Sequence, residues 1–401
     1  MRRTQSGGGR RSGRAIAVLL VALGTLALAA SATGARQAGV IKIGSITILT
    51  GPTAQIGLET ARGAQFMVDY VNAHGGVLGQ KLQLVSDDDA NNPQLAVQDA
   101  AQLIQQDHVV AIAGPTNSVS GIAIQSLQAQ AKVPAVAYQS GAEALTGTGS
   151  PWVFRSNTTL NHHFDALVTY LAKVKHAKTF AFIGWNLAAG ASSLAGTQYG
   201  IAHTPGTKLV YQTQLPLTTQ DFSATIQQAK AANPDAVLIG APMPFAGVLA
   251  KQIRQAGWNV TLGATGDFVT GDFGLFLGSA ANGLIMTDTG HWQCLAKRKN
   301  GKSFLAAWQK AFGRPPVANE IAGADAIGVI AAALTKAKST DGQKLDDAIR
   351  GMSYNGLRFA AQWDSKGNLR RTPIPAVVWA KDGTQLNDLS CDIFTTARGG
   401  K

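Results

Sequence analysis

The sequence predicts an α/β protein built from two doubly wound lobes, each with a parallel sheet. The chain has 401 residues, more than one ordinary core holds. From residue 40 onward, short apolar runs alternate with amphipathic stretches, and this alternation restarts near residue 152. Hydrophobic residues make up 45% of the chain and charged residues 14%, which is typical of a folded globular protein.

In the first half of the chain, apolar or alternating runs predict strands, and helical periodicity separates them. The predicted strands are 41–49, 81–88, 109–115 and 133–138. Apolar residues recur at helical spacing across 58–72. Asn92-Pro93, an N-cap residue followed by a first-turn proline, begins the next helix. The run 109–115 is apolar nearly throughout, as expected of a sheet covered on both faces.

The second half repeats this pattern. The predicted strands are 152–155, 179–184, 208–213, 236–240 and 260–264, with helices near 162–173, 191–202, 222–232 and 245–256. Helices near 303–312, 318–337 and 344–351 precede a β-rich tail. Open parallel sheets bind ligands outside the carboxyl ends of their strands. The sequence therefore predicts a cleft between two lobes, lined by residues that follow strands.

The N-terminus has the three parts of a secretory signal peptide. Six arginines lie in the first 36 residues, so half of the formal charge of +12 belongs to that segment. An apolar run at 15–32 follows and ends in Ala30-Ser31-Ala32. A membrane anchor is the alternative, but the Ala/Gly content and the cleavage-like site favour export. We therefore expect cleavage of residues 1–36 and a periplasmic or extracytoplasmic location. Nucleic acid is not an expected partner, because no basic stripe interleaved with aromatics follows.

Cys294 and Cys391 are the only cysteines. Two cysteines do not make a zinc finger, and an oxidising compartment favours a disulfide between them. The sequence leaves this pairing open, because it does not show whether the two residues meet.

The acidic stretch at 87–92 does not match a metal site. Asn92 stands where a calcium loop needs glycine, and Gln98 stands where it needs a bidentate glutamate. The Gly-rich segment 75–81 lacks the Gly-Lys-Ser/Thr ending of a phosphate-binding loop. We interpret the region as a turn between helix and strand, followed by a helix cap.

The sequence does not match known catalytic motifs either. The segment 190–196 resembles a nucleophile elbow, but Leu194 replaces its second glycine. His162-His163 are adjacent, so they do not share a helix face, and a surface pair is expected rather than a metal site. No nucleophile-base pair or metal set emerges, so the sequence predicts no enzyme, cofactor or metal.

Small polar residues follow two neighbouring strands of the first half. They are Thr116, Asn117, Ser118, Gln139, Ser140 and Gly141. Hydroxyls and N–H groups at a helix start can bind a carboxylate without any catalytic group. Ser118 as a plain N-cap is the alternative. Because two such loops converge, the sequence favours a carboxylate site.

Several segments together carry a family pattern. They are Gly51-Pro52 with Gly57, residues 61–66, Asn72 with GGVLGQKL, Asp88-Asp89 with Pro93, AIAGP followed by Ser118, VPAVAY, and residues 354–369. The pattern resembles the periplasmic branched-chain amino-acid-binding family, the substrate-binding subunits of ATP-driven importers. The resemblance runs from about residue 40 to 390.

The resemblance implies a type I periplasmic binding protein fold, with two lobes joined by three crossovers. The N-terminal lobe would comprise 40–156 and 288–356, and the C-terminal lobe 157–287 and 357–398. It also implies a monomer that closes around its ligand and docks onto the permease and ATPase subunits of an ABC importer.

The resemblance places the ligand carboxylate on Ser118, Ser140 and Gly141 of the first lobe. In the second lobe it points to Asn186 and to the loop that holds Asp267 and Phe268. Asp267 would pair with a ligand ammonium. Another loop after a second-lobe strand includes Met243, which we expect at the cleft.

Three departures from the family pattern concern the pocket. The stretch 186–190 lacks both of the family's aromatic positions, Ile56 stands for an aromatic, and Ala324 stands for a tyrosine. The expected ligand is an amino acid or related organic acid, and these departures argue against leucine, isoleucine or valine and favour a roomier or differently shaped pocket.

Two functions are compatible with this pattern. The first is a solute-binding receptor that delivers a small carboxylate to an importer. The alternative is a sensory module that reports the ligand to a signalling partner. We expect no transmembrane or effector segment after residue 390, and this expectation favours transport.

Overall fold

The first sheet has five parallel strands in the order β2-β1-β3-β4-β5. In this computed structural model they are β1 (Val40–Thr47), β2 (Lys81–Asp88), β3 (Ile112–Ala113), β4 (Ala135–Ala137) and β5 (Val153–Arg155). The structure describes residues 39–401 except 148–149, 266–275, 289, 359, 371–372, 380–385 and 395–401, and it describes only the backbone of 373–379 and 386–394. The predicted signal peptide lies outside the described residues.

Helices cover both faces of this sheet. They are α1 (Ala54–Ala73), α2 (Pro93–Gln105), α3 (Ser118–Ala123), α4 (Gln125–Ala131) and α5 (Ala144–Gly147). Ile41 and Ile43 pack on one face of the sheet and Ile46 and Ile112 on the other, all fully or almost fully buried. This explains why the inner strands β3 and β4 lack a polar face, whereas the edge strand β2 keeps exposed polar residues.

The second sheet has seven strands in the order β14-β13-β10-β9-β8-β6-β7. They are β6 (Thr179–Trp185), β7 (Lys208–Leu215), β8 (Ala236–Gly240), β9 (Thr261–Thr265), β10 (Ile285–Thr287), β13 (Pro373–Trp379) and β14 (Leu386–Phe394). The first five are mutually parallel, as predicted. The last two, which belong to the β-rich tail, pair antiparallel and extend this parallel sheet at one edge.

The remaining helices flank the second sheet or return to the first. They are α6 (Leu160–Val174), α7 (Ala188–His203), α8 (Ser223–Ala231), α9 (Phe245–Gln255), α10 (Trp292–Leu295), α11 (Lys299–Phe312), α12 (Ala318–Ala337) and α13 (Gly342–Arg350). A 3₁₀ turn spans Gly278–Ala281, and the short strands β11 (Tyr354–Asn355) and β12 (Ala360–Ala361) form a hairpin.

The described chain crosses between the sheets three times. It leaves the first sheet after β5, returns after β10, and reaches the second sheet again at β13. Trp363 and Leu369 belong to the core of the first sheet, and the Trp363 Nε1 donates to Arg155 O at 2.8 Å. The segment 357–370, which the sequence analysis assigns to the second lobe, therefore packs against the first.

Helix α12 is apolar and long enough to cross a membrane. Within the fold, however, 78% of its most apolar window is buried. It packs against the first sheet beside α1, where Ile321, Ile327 and Ile330 join that sheet's core. Its composition is accounted for by this burial.

Two details concern the histidine and cysteine predictions. His163 is fully buried on α6, with Nδ1 3.2 Å from Thr287 Oγ1, so the prediction of a surface histidine pair is wrong for this residue. Cys294 is disulfide-bonded. The side chain of Cys391 lies outside the described residues, so its pairing with Cys294 stays a prediction.

Candidate functional site: a cleft between two sheets

A cavity of about 110 Å³ lies where strands of both sheets end. Residues after β1, β3 and β4 form one wall, and residues at the ends of β6 and β8 form the other. Its lining comprises Ile48, Thr53, Ile56, Asn91, Thr116, Asn117, Ser118, Val119, Gln139, Gly141, Leu160, Trp185, Leu187, Ala188, Ala189 and Pro242. Among these described residues no side chain carries a charge. The cavity is therefore suited to a ligand with an apolar body and a few polar groups.

The structure brings four of the predicted residues into this lining, namely Asn117, Ser118, Gln139 and Gly141. Ser140, Asn186 and Met243 are absent from it. Asp267 and Phe268 lie outside the described residues. The two predicted first-lobe loops therefore meet at the cavity, while the second-lobe wall differs from the one expected.

Ser118 presents a hydroxyl proton at the cavity. Asn117, not Ser118, is the N-cap of α3, because its Oδ1 accepts from Ser120 N at 2.7 Å. Ser118 Oγ accepts from Ala142 N at 3.1 Å. No described residue accepts the Ser118 proton in return. The hydroxyl can therefore donate to an acceptor in the cavity, which a carboxylate oxygen would supply.

The acidic stretch holds this loop in place. Asp89 is fully buried and its Oδ2 accepts from Asn117 Nδ2 at 3.1 Å. Asp88 Oδ1 accepts from Leu49 N at 2.7 Å, and its Oδ2 accepts from Thr50 Oγ1 at 2.7 Å. In the part of the chain that the structure describes, no cluster of three or more His, Cys, Asp or Glu could hold a metal. The aspartates thus fix the loops that carry Asn117 and Thr53.

Asp99, on α2 near these aspartates, has a raised pKa in the folded protein. Burial, and secondarily the charges of the aspartates at 87–89, raises the pKa of Asp99 from 3.8 to about 6. The folded state then binds this proton more readily than the unfolded chain, so this group's stabilising effect is complete below pH 3.8 and is lost as the pH rises through about 6.

We therefore expect Asp99→Asn to stabilise the fold at pH 7.5 and to change little at pH 4. The gain should stay below about 1 kcal/mol, because Asp99 is partly exposed and solvent screens it. Melting temperatures of both proteins across this pH range test the expectation. Asp69→Asn, on the exposed side of α1, serves as the control. An equal gain at both pH values would contradict the assignment.

Ser140 lies behind the cavity wall and joins its two loops. It is 2% exposed, and its Oγ donates to Pro115 O at 3.0 Å. This bond uses its proton. The prediction that Ser140 contacts ligand directly therefore does not match the geometry, because the hydroxyl is committed to the backbone.

A buried arginine supports the same loop from behind. Arg155 is 1% exposed, and its guanidinium donates to Ser140 O at 2.5 Å and to Ala142 O. Burial lowers the pKa of Arg155 to about 10, which keeps it charged at neutral pH. The carboxylates of Glu143 and Asp364 act on it electrostatically, but no described carboxylate lies within ion-pair distance. This positive charge beside Gly141 favours an anion in the cleft.

Trp185 supplies the aromatic residue that the sequence analysis considers lost. It is the last residue of β6, and it lies on the cavity wall one position before the expected stretch 186–190. Asn186 is exposed, and its N–H donates to Leu215 O at 3.0 Å, so it stabilises the second sheet. A Cβ on Gly190 would lie 1.9 Å from Trp185 O. The glycine therefore lets α7 begin directly against the tryptophan.

Met243 is half-buried and packs against the core of the second lobe. Its neighbour Pro242 reaches the cavity instead. Thr53 is a further lining residue that the sequence analysis missed, because it precedes a helix at a position where threonine usually serves as a cap. Ile56 lies at the cavity, where the resemblance places it.

Comparison with known proteins identifies the family. Residues 40–384 match the profile of a family described as periplasmic binding protein. The chain belongs to the periplasmic binding protein family. The leucine-, isoleucine-, valine-, threonine-, and alanine-binding protein of Pseudomonas aeruginosa is 25% identical over 360 residues, covering 90% of this chain and 95% of that protein.

Two solved structures show the same fold. The leucine binding protein LivK of Thermotoga maritima aligns with a TM-score of 0.80 at 24% identity, covering 87% of this chain and 98% of that chain. A solute binding protein of an ABC transporter from Rhodopseudomonas palustris, in complex with 3,4-dihydroxy benzoic acid, aligns with a TM-score of 0.77 at 26% identity, covering 89% and 98%. The type I periplasmic binding fold is thereby confirmed. This periplasmic binding protein is a solute-binding protein and not an enzyme.

Proposed function

We propose that this periplasmic binding protein captures a small carboxylate in the interlobe cleft and delivers it to an ABC importer. Residues 1–36 would direct its export, and permease and ATPase subunits would be its partners. The proposal rests chiefly on Ser118, whose hydroxyl proton faces the cavity without a described acceptor. A carboxylate oxygen would complete this hydrogen bond.

The electrostatics support an anionic ligand. Arg155 lies behind the loop that carries Gly141, while the described lining is neutral. The described carboxylates that act on this buried guanidinium, Glu143 and Asp364, lie beyond ion-pair distance, so it still gains from an anion nearby, because few mobile charges screen it. The related protein from Rhodopseudomonas palustris binds 3,4-dihydroxy benzoic acid, which is a carboxylate.

The two walls provide a mechanism of capture. The polar groups belong to loops of the first sheet, whereas Trp185, Leu187 and Pro242 extend from the second. A ligand bound between them contacts both lobes only when the lobes are closed. It therefore shifts the population towards the closed form, which the importer would recognise.

Ser118→Ala is expected to weaken the binding of every carboxylate ligand by about tenfold or more, because it removes a hydrogen bond to a charged group. Titration calorimetry with benzoate, 3,4-dihydroxybenzoate, leucine and short branched carboxylates measures this change. Ser192→Ala is the matched control, since Ser192 is also buried but does not line the cavity. Unchanged affinity in Ser118→Ala, or no binding of any carboxylate to the natural protein, would refute the proposal.

A further inference from the structure

The hydroxyl of Thr53 is buried at the cavity and has no hydrogen-bond partner. Thr53 is 5% exposed and belongs to the cavity lining. Its Oγ1 is buried without any donor or acceptor within reach. Burying a hydroxyl without a partner costs free energy, so such a group in a cavity indicates a polar atom that arrives with a ligand.

The helix next to Thr53 does not use this hydroxyl. Thr53 is the N-cap residue of α1, but its side chain makes no capping bond. Its backbone lies at φ −109° and ψ 13°, outside the extended conformation usual for a capping threonine. The first N–H of α1, that of Ala54, is satisfied by Gly51 O at 3.1 Å. The Thr53 hydroxyl is therefore left for the cavity.

The lining restricts the chemistry of the group that meets Thr53. The described lining residues carry no charge. Ile48 and Ile56, which precede and follow Thr53 along the chain, line the same wall. Among the described lining residues no carboxylate lies beside Thr53, so an ammonium group bound at this hydroxyl would lose its hydration without an opposite charge on that wall. A hydroxyl group both donates and accepts, so it can satisfy Thr53 at a much lower desolvation cost.

We propose that Thr53 binds a neutral hydroxyl group of the ligand, so that the cavity selects hydroxylated apolar carboxylates over amino acids. This inference rests on the proposed function, in which Ser118 holds the carboxylate. Ser118 then determines that an acid binds, and Thr53 determines which acid.

Two matched ligand series test this assignment on the natural protein and on Thr53→Val, which keeps the side-chain shape and removes the hydroxyl. The first series is 4-methylpentanoate, 2-hydroxy-4-methylpentanoate and leucine, which differ only at C2. The second is benzoate with 3- and 4-hydroxybenzoate. In at least one series we expect the hydroxylated acid to bind the natural protein about fivefold to tenfold more tightly than its parent, with leucine weakest in its series.

Thr53→Val should abolish the advantage of the hydroxylated acid and leave the affinity for the parent acid within about twofold. The unliganded variant should melt no lower than the natural protein, because it loses only an unpartnered hydroxyl. Thr60→Val is the matched control. Thr60 is also buried on the α1 side, but its hydroxyl bonds to Ile56 O and does not line the cavity, so discrimination between ligands should persist.

The outcomes separate the two proposals. Tight leucine binding, or equal loss of affinity for parent and hydroxylated acids in Thr53→Val, overturns the inference while leaving carboxylate capture intact. Unchanged discrimination in Thr53→Val also overturns it. If no acid binds the natural protein, the proposed function fails and the inference fails with it.

Discussion

Asp325→Ala is expected to lower the free energy of unfolding by about 3–5 kcal/mol. Asp325 lies on α12 and faces Arg358, with Oδ2 3.1 Å from the Arg358 Nε. The two side chains are 3% and 0% exposed. Removing the carboxylate leaves the guanidinium buried without the opposite charge that it faces, and burying an uncompensated charge is among the most destabilising single changes.

The position of this ion pair increases its effect. Arg358 also donates to Ser156 O and Oγ, at the first crossing between the sheets. Asp325 accepts from Leu357 N at 3.0 Å. The pair therefore connects α12, the first crossing and the segment at 357–358. Its loss should weaken the packing of the first lobe at the point where the chain crosses to the second lobe.

Urea unfolding of the natural and variant proteins measures the effect. Asp107→Ala provides the control, because the Lys42–Asp107 pair is 3.9 Å apart with side chains 39% and 27% exposed, and such a pair contributes at most about 1 kcal/mol. The double variant Asp325→Leu with Arg358→Met should recover part of the loss, since it leaves no buried charge at this position. If Asp325→Ala costs no more than Asp107→Ala, the ion pair does not stabilise the fold.

The sequence predicts the fold well because the strand pattern, the helical periodicity and the family resemblance indicate the same two-lobed α/β architecture. The central strands of the first sheet are buried on both faces, and this burial produces the apolar runs from which those strands are predicted. The antiparallel edge formed by β13 and β14 is harder to foresee. The orientation of a strand depends on where its connection crosses the sheet, and alternation along the strand does not record this.

The site is predicted only to the level of loops. Converging strand ends place Asn117, Ser118, Gln139 and Gly141 together. Which of Ser118 and Ser140 faces the cavity depends on their partners, Ala142 N and Pro115 O, which are distant in sequence. A polar residue after a strand is equally compatible with binding a ligand in the cavity and with bonding to the backbone behind it.

The misplaced and missed residues share a physical cause. Trp185 ends a strand and Thr53 precedes a helix, so local pattern assigns each a structural role. His163 is buried while its neighbour His162 is partly exposed, because α6 packs one face on the second sheet. Adjacent helical residues point in different directions, and the sequence does not show which one faces the core.

Gly63→Ala is expected to destabilise the fold by about 3 kcal/mol or more, because α1 and α12 touch there through their backbones. A Cβ on Gly63 would lie 1.8 Å from Glu320 O, and one on Gly323 would lie 2.0 Å from Thr60 O. Backbone atoms cannot rotate away as a flexible side chain does, so the helices must separate. This contact gives a physical reason for glycine in the family marker at 61–66.

The separation would also weaken an ion-pair cluster beside the contact. Glu320 is fully buried and its Oε1 lies 2.7 Å from Arg62 Nη1, one residue before Gly63. Thermal unfolding of Gly63→Ala measures the combined loss. Gly147→Ala is the control, since a Cβ there meets no described atom within 4 Å and should change stability little. A Gly63→Ala protein as stable as this control would show that α1 and α12 do not pack at backbone distance, and the marker would then need another explanation.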